Sequence, residues 1–275
     1  MKTHEIELTQ EQRDLLHARL YQILAEVDRV ARLLGLRYYL IGGSLLGAVR
    51  NQGIIPWDDD IDVGMRRSDY EKFVTRASEL LNPIYHLESA RHDPAYHLMH
   101  SKICLDGTVF LQSVSDLRRT HHGIAVDVFA LDYLPNNRLL RTVFYRLSRL
   151  LYTCVGLRCL PGASHRHGVR RLFALWGELA LSIVPARMLK TACERLCGLW
   201  GNHPKRYIVP SFGMYREREI VPDAWFVGDE VARFGPLLAP IPNGWQPYLN
   251  QVYGDYMQPP PESARHGHPV LRLHT

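Results

Sequence analysis

The stretch YYLIGGSLLGAVRNQGIIPWDDDIDVGMRRSDY, residues 38–70, joins a Gly42-Gly43-Ser44 turn to four aspartates, Asp58, Asp59, Asp60 and Asp62. Carboxylates that dense repel one another, and a hard cation with oxygen ligands, Mg²⁺ or Mn²⁺, relieves the repulsion. A Gly-rich turn that feeds a helix is a seat for phosphate. Together they point to metal-assisted chemistry on a phosphate ester. The stretch reads as strand, turn, short helix, loop and second strand. Arg37–Ile41 is a short β-type run, Ser44–Arg50 a helix, Asn51–Pro56 a loop and Asp60–Met65 a strand, with Ser68 capping a helix to about Leu81.

Upstream, residues 9–35 form a helix. Leu15, Leu16, Leu20, Ile23, Leu24, Val27 and Val30 follow a 3.6 period, with Thr9 as N-cap and Gly35 as the stop. Downstream, His97–Leu105 and Thr108–Ser113 read as two strands of a hairpin turning at Asp106-Gly107, and Gly123–Leu131 as another strand. The expectation is an α/β (α+β) fold, a mixed sheet flanked by helices.

The composition then changes. Residues 133–177 contain no Asp or Glu but carry Arg138, Arg141, Arg146, Arg149, Arg158, Arg166, Arg170 and Arg171. Leu139, Leu140, Val143, Phe144, Leu147, Leu150 and Leu151 have helical spacing, Pro161-Gly162 breaks it, and two helices follow to about Trp200. From Val209 the chain is rich in Pro, Gly and aromatics. The organisation expected is a catalytic core at 1–132, a basic helical section at 133–205 and a C-terminal segment at 206–275 that wraps and completes the site. The arginines of the middle section are either solvated or dock on an anionic membrane face or an acceptor there.

In a strand, alternate residues share a face, so Asp60 and Asp62 point together, about 7 Å apart, while Ile61 and Val63 enter the core. Asp127, in GIAVDVFALD, lies opposite the apolar face of Ile124, Val126 and Val128 and is the candidate third carboxylate. Gly43 and Ser44 are the candidate phosphate seat. Arg50, Arg66 and Lys102 are candidate clamps, and Lys102 stands out because it interrupts an apolar strand. Trp57 either stacks on a ligand or anchors the loop.

Composition narrows the class. Hydrophobic content of 46% and charged content of 22% suit a globular protein, and no run approaches the ~20 apolar residues of a spanning helix. A net charge of +5 suits an anionic partner, but no nucleic-acid-binding motif is present. The fourteen histidines form no H-E-x-x-H pattern. The five cysteines have spacings too loose for a zinc finger and read as small apolar residues of a reducing compartment. The start, MKTHEIELTQEQ, is polar rather than a basic-then-apolar leader, so a cytoplasmic location is expected, peripheral at the inner membrane face.

IGGSLLGAVRNQGIIPWDDDIDVGMRRSDYEKF, GIAVDVFALDYLP and YGDYMQPPPESARHGH resemble the three sequence blocks of the LicD family, with similarity from about residue 15 to 270. The first block is similar to fukutin-related protein. The resemblance implies a nucleotidyltransferase-like fold and transfer of a phospho-alcohol from a CDP-activated donor to a glycan or glycolipid hydroxyl. Phosphocholine from CDP-choline to a bacterial surface glycan (lipopolysaccharide, capsule or teichoic acid) is the leading expectation, with ribitol or glycerol as other alcohols. Matched position by position, it implies Asp60, Asp62 and Asp127 as metal ligands and Gly43-Ser44 as the phosphate turn. Asp127 is then the first candidate for general base. Two rivals remain: nucleotidyl transfer from a nucleoside triphosphate, and an inactive glycan- or nucleotide-binding module. Tyr38, Tyr39, Trp57, Tyr96, Tyr133, Trp225 and Tyr253 are candidate walls of a choline pocket.

Overall fold

Helix α1 (Gln10–Leu33) starts with a reciprocal cap: Gln12 N donates to Thr9 Oγ1 at 3.2 Å and Thr9 N donates to Gln12 Oε1 at 2.9 Å. The computed structural model describes residues 5–93, 96–112, 121–160, 169–201 and 205–275. Leu16, Leu20, Ile23, Leu24, Val27 and Val30 are buried. Leu15 stays 44% exposed, because one residue back from Leu16 turns it about 100° off the stripe.

The chain continues through β1 (Tyr39–Leu40), α2 (Gly42–Asn51), β2 (Asp62–Arg66), α3 (Arg67–Leu80), β3 (Tyr85–Glu88), β4 (Ser101–Leu105), β5 (Val109–Leu111) and β6 (Ala125–Leu134). The α/β expectation holds. Five strands line up as β1-β2-β6-β4-β3, with β2 and β6 parallel and the other neighbours antiparallel. Strand β6 is the spine: Val126, Val128, Leu131 and Leu134 are buried, and α1 and α3 pack on the sheet. The far half of β6 takes β7 (Tyr207–Pro210), which pairs with β8 (Val221–Pro222).

Several local expectations fail. Strand β2 begins at Asp62, where pairing to Asp127 begins, so Asp60 lies in the loop before it and strand alternation does not orient it. Ser68 is not a cap: α3 starts at Arg67, and its N-cap Arg66 makes no side-chain capping bond. Asp106-Gly107 turns the chain, but no hairpin results. Both edges of β4 are taken, by β3 and β6, so β5 pairs instead with β11 (Arg272–His274). Residues 97–100 precede β4, and β3 has no counterpart in the sequence reading. Ser113, Pro161, Gly162 and Arg166 lie outside the described residues.

The basic section folds as α4 (Arg138–Cys159), α5 (Val169–Leu181) and α6 (Ala186–Cys197), with α5 and α6 both packed on α4. Its inner side is buried through Tyr145, Ser148, Val155, Cys193 and Cys197. Five of the seven apolar positions read from the α4 pattern face solvent instead: Leu139, Leu140, Val143, Leu147 and Leu150. No described helix is long and apolar enough to cross a membrane. A buried ion pair joins sheet and helices, with Arg67 Nε and Nη2 each donating to Asp132 at 2.6 Å. The last part holds the ribbon β9 (Val231–Phe234) and β10 (Leu237–Pro240), helix α7 (Trp245–Tyr253), and the tail through β11.

Candidate active site

The turn from β1 into α2 brings backbone and carboxylates together. Gly42 has φ +54°, and a Cβ there would meet Asp62 Oδ2 at 3.4 Å. A Cβ at Gly43 would meet Asp58 Oδ2 at 2.9 Å, so the pair of glycines makes room for the acids. Ser44 is buried, and its Oγ accepts from Asp62 N at 2.8 Å, fixing the start of β2 against the turn.

The acids sort into two kinds. Asp59 and Asp127 each have a basic partner. Asp59 is 2% exposed and accepts from His268 Nδ1 and His268 N, both at 2.8 Å. That hydrogen bond, outweighing burial, lifts the His268 imidazole to about 9. Asp127 lies 2.8 Å from Lys102 Nζ and 3.1 Å from His100 Nε2. Burial pushes Asp127 up, but Lys102 and His100 outweigh it and hold the carboxyl well below its usual range. Lys102 is raised in turn, because Asp127 outweighs its burial.

Asp58, Asp60 and Asp62 are compensated far less: His268 Nδ1 stands 3.9 Å from Asp60 Oδ2, and its charge pulls Asp58 and Asp60 down without overcoming their burial. Burial, followed by the charge of Asp59, raises Asp58 to about 6. Burial, then Asp58, Asp59 and Asp127, raises Asp60 to about 8. Asp62 rises well above its usual value, from burial first and then Asp60 and Asp127. A cation placed among them would offset both the cost of burying the charges and their mutual repulsion, so the donor set fits a hard divalent ion. Asp59, Asp60 and His268 each offer a ligand atom, all within 4.8 Å of one another. Asp60, Asp62 and Asp127 do not converge that tightly among the described residues.

Asp59, His100 and His268 line a cleft of about 500 Å³, and Asp58 stands outside its wall. Asp60, Asp62, Asp127 and Lys102, expected from sequence, are in its wall, as is Gly42. Gly43 and Ser44 lie behind it. Arg50 and Trp57 do not line it: Arg50 donates to Tyr256 O at 3.1 Å, and Trp57 sits between Arg50 and Arg265, whose guanidinium carbons are 5.9 and 5.4 Å from the ring centroid. Arg66 is paired with Asp223 at 2.7 Å. Of the seven aromatics read as pocket walls, Tyr96 alone lines the cleft among the described residues; Phe110, Phe129, Phe212 and Tyr215 are the others there.

Sequence reasoning missed Arg149, Glu219 and His268 as cleft residues. Arg149 had looked like one more surface arginine of α4. Glu219 closes the run Arg-Glu-Arg-Glu, which reads as a solvated surface, yet it is 3% exposed. Burial raises its carboxyl to about 7. It accepts from Tyr215 N at 3.1 Å and from the Tyr248 hydroxyl, whose oxygen in turn accepts from Gly42 N at 3.1 Å. His268 lies within the third sequence block quoted above, but nothing in a lone Gly-His pair shows that it reaches Asp59.

Residues 35–134 match the family profile described as LicD/FKTN/FKRP, nucleotidyltransferase domain. Over those residues the chain is similar to that family's domain. Over 243 residues, 85% of this chain and 86% of the relative, it is 26% identical to the lipopolysaccharide cholinephosphotransferase LicD of Haemophilus influenzae. It is 28% identical to an uncharacterized protein of Rickettsia typhi over 131 residues, 48% of this chain and 40% of that one. A shorter match, 60% identical over 35 residues, joins 13% of this chain to 7% of the human ribitol 5-phosphate transferase FKRP.

Proposed function

We propose that the protein transfers a phospho-alcohol from a CDP-linked donor to a hydroxyl of a surface glycan or glycolipid, releasing CMP, in the cytoplasm at the inner membrane face. The observation that carries this is the set of poorly compensated acids, Asp58, Asp60 and Asp62, packed on the Gly42-Gly43 backbone beside a cleft that also presents Lys102 and Arg149. Such a set accepts a metal-bound diphosphate far better than a neutral ligand. The named activities of the relatives, transfer of choline phosphate and of ribitol phosphate, share this reaction class. Phosphocholine is the first head group to test, because aromatic residues Tyr96, Phe110, Phe129 and Phe212 line the cleft, and a quaternary ammonium prefers aromatic surroundings.

Asp60 and Asp62, with Asp58 or Asp127 completing the set, would hold Mg²⁺ or Mn²⁺, which would offset charge on the donor's phosphate oxygens. Lys102 and Arg149 bring fixed positive charge to the same wall. The acceptor oxygen forms a bond to the phosphorus that bears the alcohol, and the bond from that phosphorus to the CMP oxygen breaks. The acceptor's proton needs a base. Asp127, stabilised as an anion by Lys102 and His100, takes a proton poorly. Glu219, raised to about 7 in the same cleft, is matched to the task, and we assign the role to it.

Incubation with CDP-choline, CDP-ribitol and CTP, with and without Mg²⁺, tests the reading. CMP release dependent on acceptor and metal is expected; pyrophosphate from CTP would instead establish nucleotidyl transfer, and no turnover with any donor would leave a binding module. Asp62→Ala should lower CMP release by at least about 10³-fold, in line with loss of a group that stabilises the transition state. Activity close to wild type in that variant would sink the assignment.

A further inference from the structure

We propose that the outer faces of α4 and α5 seat this protein on an anionic lipid bilayer, with their leucines below the headgroups and their arginines at the phosphates. The attachment does not depend on the reaction proposed above. On α4 the exposed apolar residues are Leu139 (72% exposed), Leu140, Val143, Leu147 and Leu150. At 3.6 residues per turn they fall in one stripe about 100° wide. The residues of α4 that are buried, Tyr145, Ser148 and Val155, lie on the opposite side. The stripe is therefore not a loosely packed core. It is a second apolar face on a helix whose first face is already satisfied.

Helix α5 repeats the arrangement. Leu172, Leu175, Trp176 (70% exposed) and Leu179 share one side, Ile183 (87% exposed) follows, and Ala174 is buried opposite them. The two helices pack on each other, so the two stripes belong to adjacent elements. Apolar residues scattered singly on a surface need no explanation, but two coherent stripes on neighbouring helices do.

Charge identifies the occupant. No acid occurs between residues 133 and 177. Arg146 is exposed on α4 at the margin of its stripe, Arg138 is exposed at the start of the helix, Arg171 is exposed on α5 and Arg187 on α6. Arg146 also approaches Glu217 at 3.7 Å, with both side chains largely in water. The one acid of α5, Glu178, is half-buried and lies about two turns along from Arg171 at the same edge, outside the row of leucines. Leucine and tryptophan on one face with arginines along its edge is the pattern of a helix lying in the plane of an anionic interface. Neither helix can cross a bilayer. Arg149, on the other side of α4, lines the cleft, so α4 lies between its apolar stripe and the cleft.

Sedimentation of the full chain with vesicles tests this. Mixed phosphatidylglycerol–phosphatidylcholine vesicles should bind it, and pure phosphatidylcholine vesicles should bind it at least about tenfold more weakly, with rising salt erasing the difference. Leu147→Glu combined with Leu179→Glu should lower binding by a further tenfold or more, about 1.4 kcal/mol, with an unchanged circular dichroism spectrum. Should that variant misfold, bromine-labelled lipid supplies the second measurement: it should quench a fluorescence component of the wild-type protein that Trp176→Phe lacks. No binding to the anionic vesicles would overturn the proposal. So would a concentration-dependent dimer in light scattering that the double variant disperses, since the stripes would then meet a second copy of the chain.

Discussion

Helix α1 and helix α4 carry the same kind of apolar stripe and use it in opposite ways. Leu16, Leu20, Ile23 and Leu24 of α1 are fully buried against the sheet, whereas Leu139, Val143, Leu147 and Leu150 of α4 stand in solvent. The stripe on α4 is no weaker in sequence. The difference is that α1 has the sheet to cover it, and α4 turns its other side, through Val155, toward Cys193 of α6 and the cleft. An amphipathic pattern states that a helix has an apolar face. It does not state what covers that face.

The sharpest way to break this contrast is paired truncation. Leu24→Ala in α1 should cost about 2–5 kcal/mol, as burial and cavity formation require. Leu147→Ala in α4 should stay within about 0.5 kcal/mol in chemical denaturation, as exposed substitutions do. Comparable losses at both positions would mean that the α4 stripe is covered in the folded protein.

Next in size is the test of how the two halves share the cleft. Glu219→Gln should lower kcat by about 100-fold, equivalent to ~2.7 kcal/mol, and remove the rise of kcat with pH around neutrality while leaving KM for the donor nearly unchanged. The pH profile separates a base from a structural carboxylate, since loss of packing alone would lower kcat without flattening the rise.

The smallest expected effect concerns the acids themselves. Asp58 and Asp60 are raised to about 6 and about 8, above their values in the unfolded chain. Their contribution to stability is therefore full at low pH and lost as the pH climbs through those values. In chelator, the melting temperature should fall between about pH 4 and pH 8, and Mg²⁺ at pH 8 should restore it. Asp60→Asn should raise the melting temperature at pH 8 in chelator by about 2–4 °C, the size expected for roughly 1 kcal/mol in a chain of this length. If Mg²⁺ leaves the wild-type melting temperature unmoved, these acids do not hold a divalent ion.

Much of this could be read from residue order, because the signals were local. The cap and stripe of α1, the Gly42-Gly43 turn, the strand around Asp127 and the interruption of β4 by Lys102 all depend on neighbours a few positions apart. Long-range contacts decided the rest. The Asp106-Gly107 turn has hairpin chemistry, but β4 had two better partners, so β5 waited for a strand more than 150 residues on. Trp57 had two readings, a platform for a ligand or an anchor for the loop, and it stands outside the cleft wall with Arg50 and Arg265 over its ring. Glu219 looked like surface and was drawn into the cleft by Tyr215 and Tyr248.

Residue order alone determined the α/β class, the density of carboxylate at the turn and the family likeness, since each follows from composition and spacing within short blocks. Only the tertiary structure decided which acids are compensated. Asp59 and His268 are 209 positions apart, Asp127 and Lys102 are 25 apart, and a charge is neutralised by what lies within a few ångströms, whatever the distance along the chain.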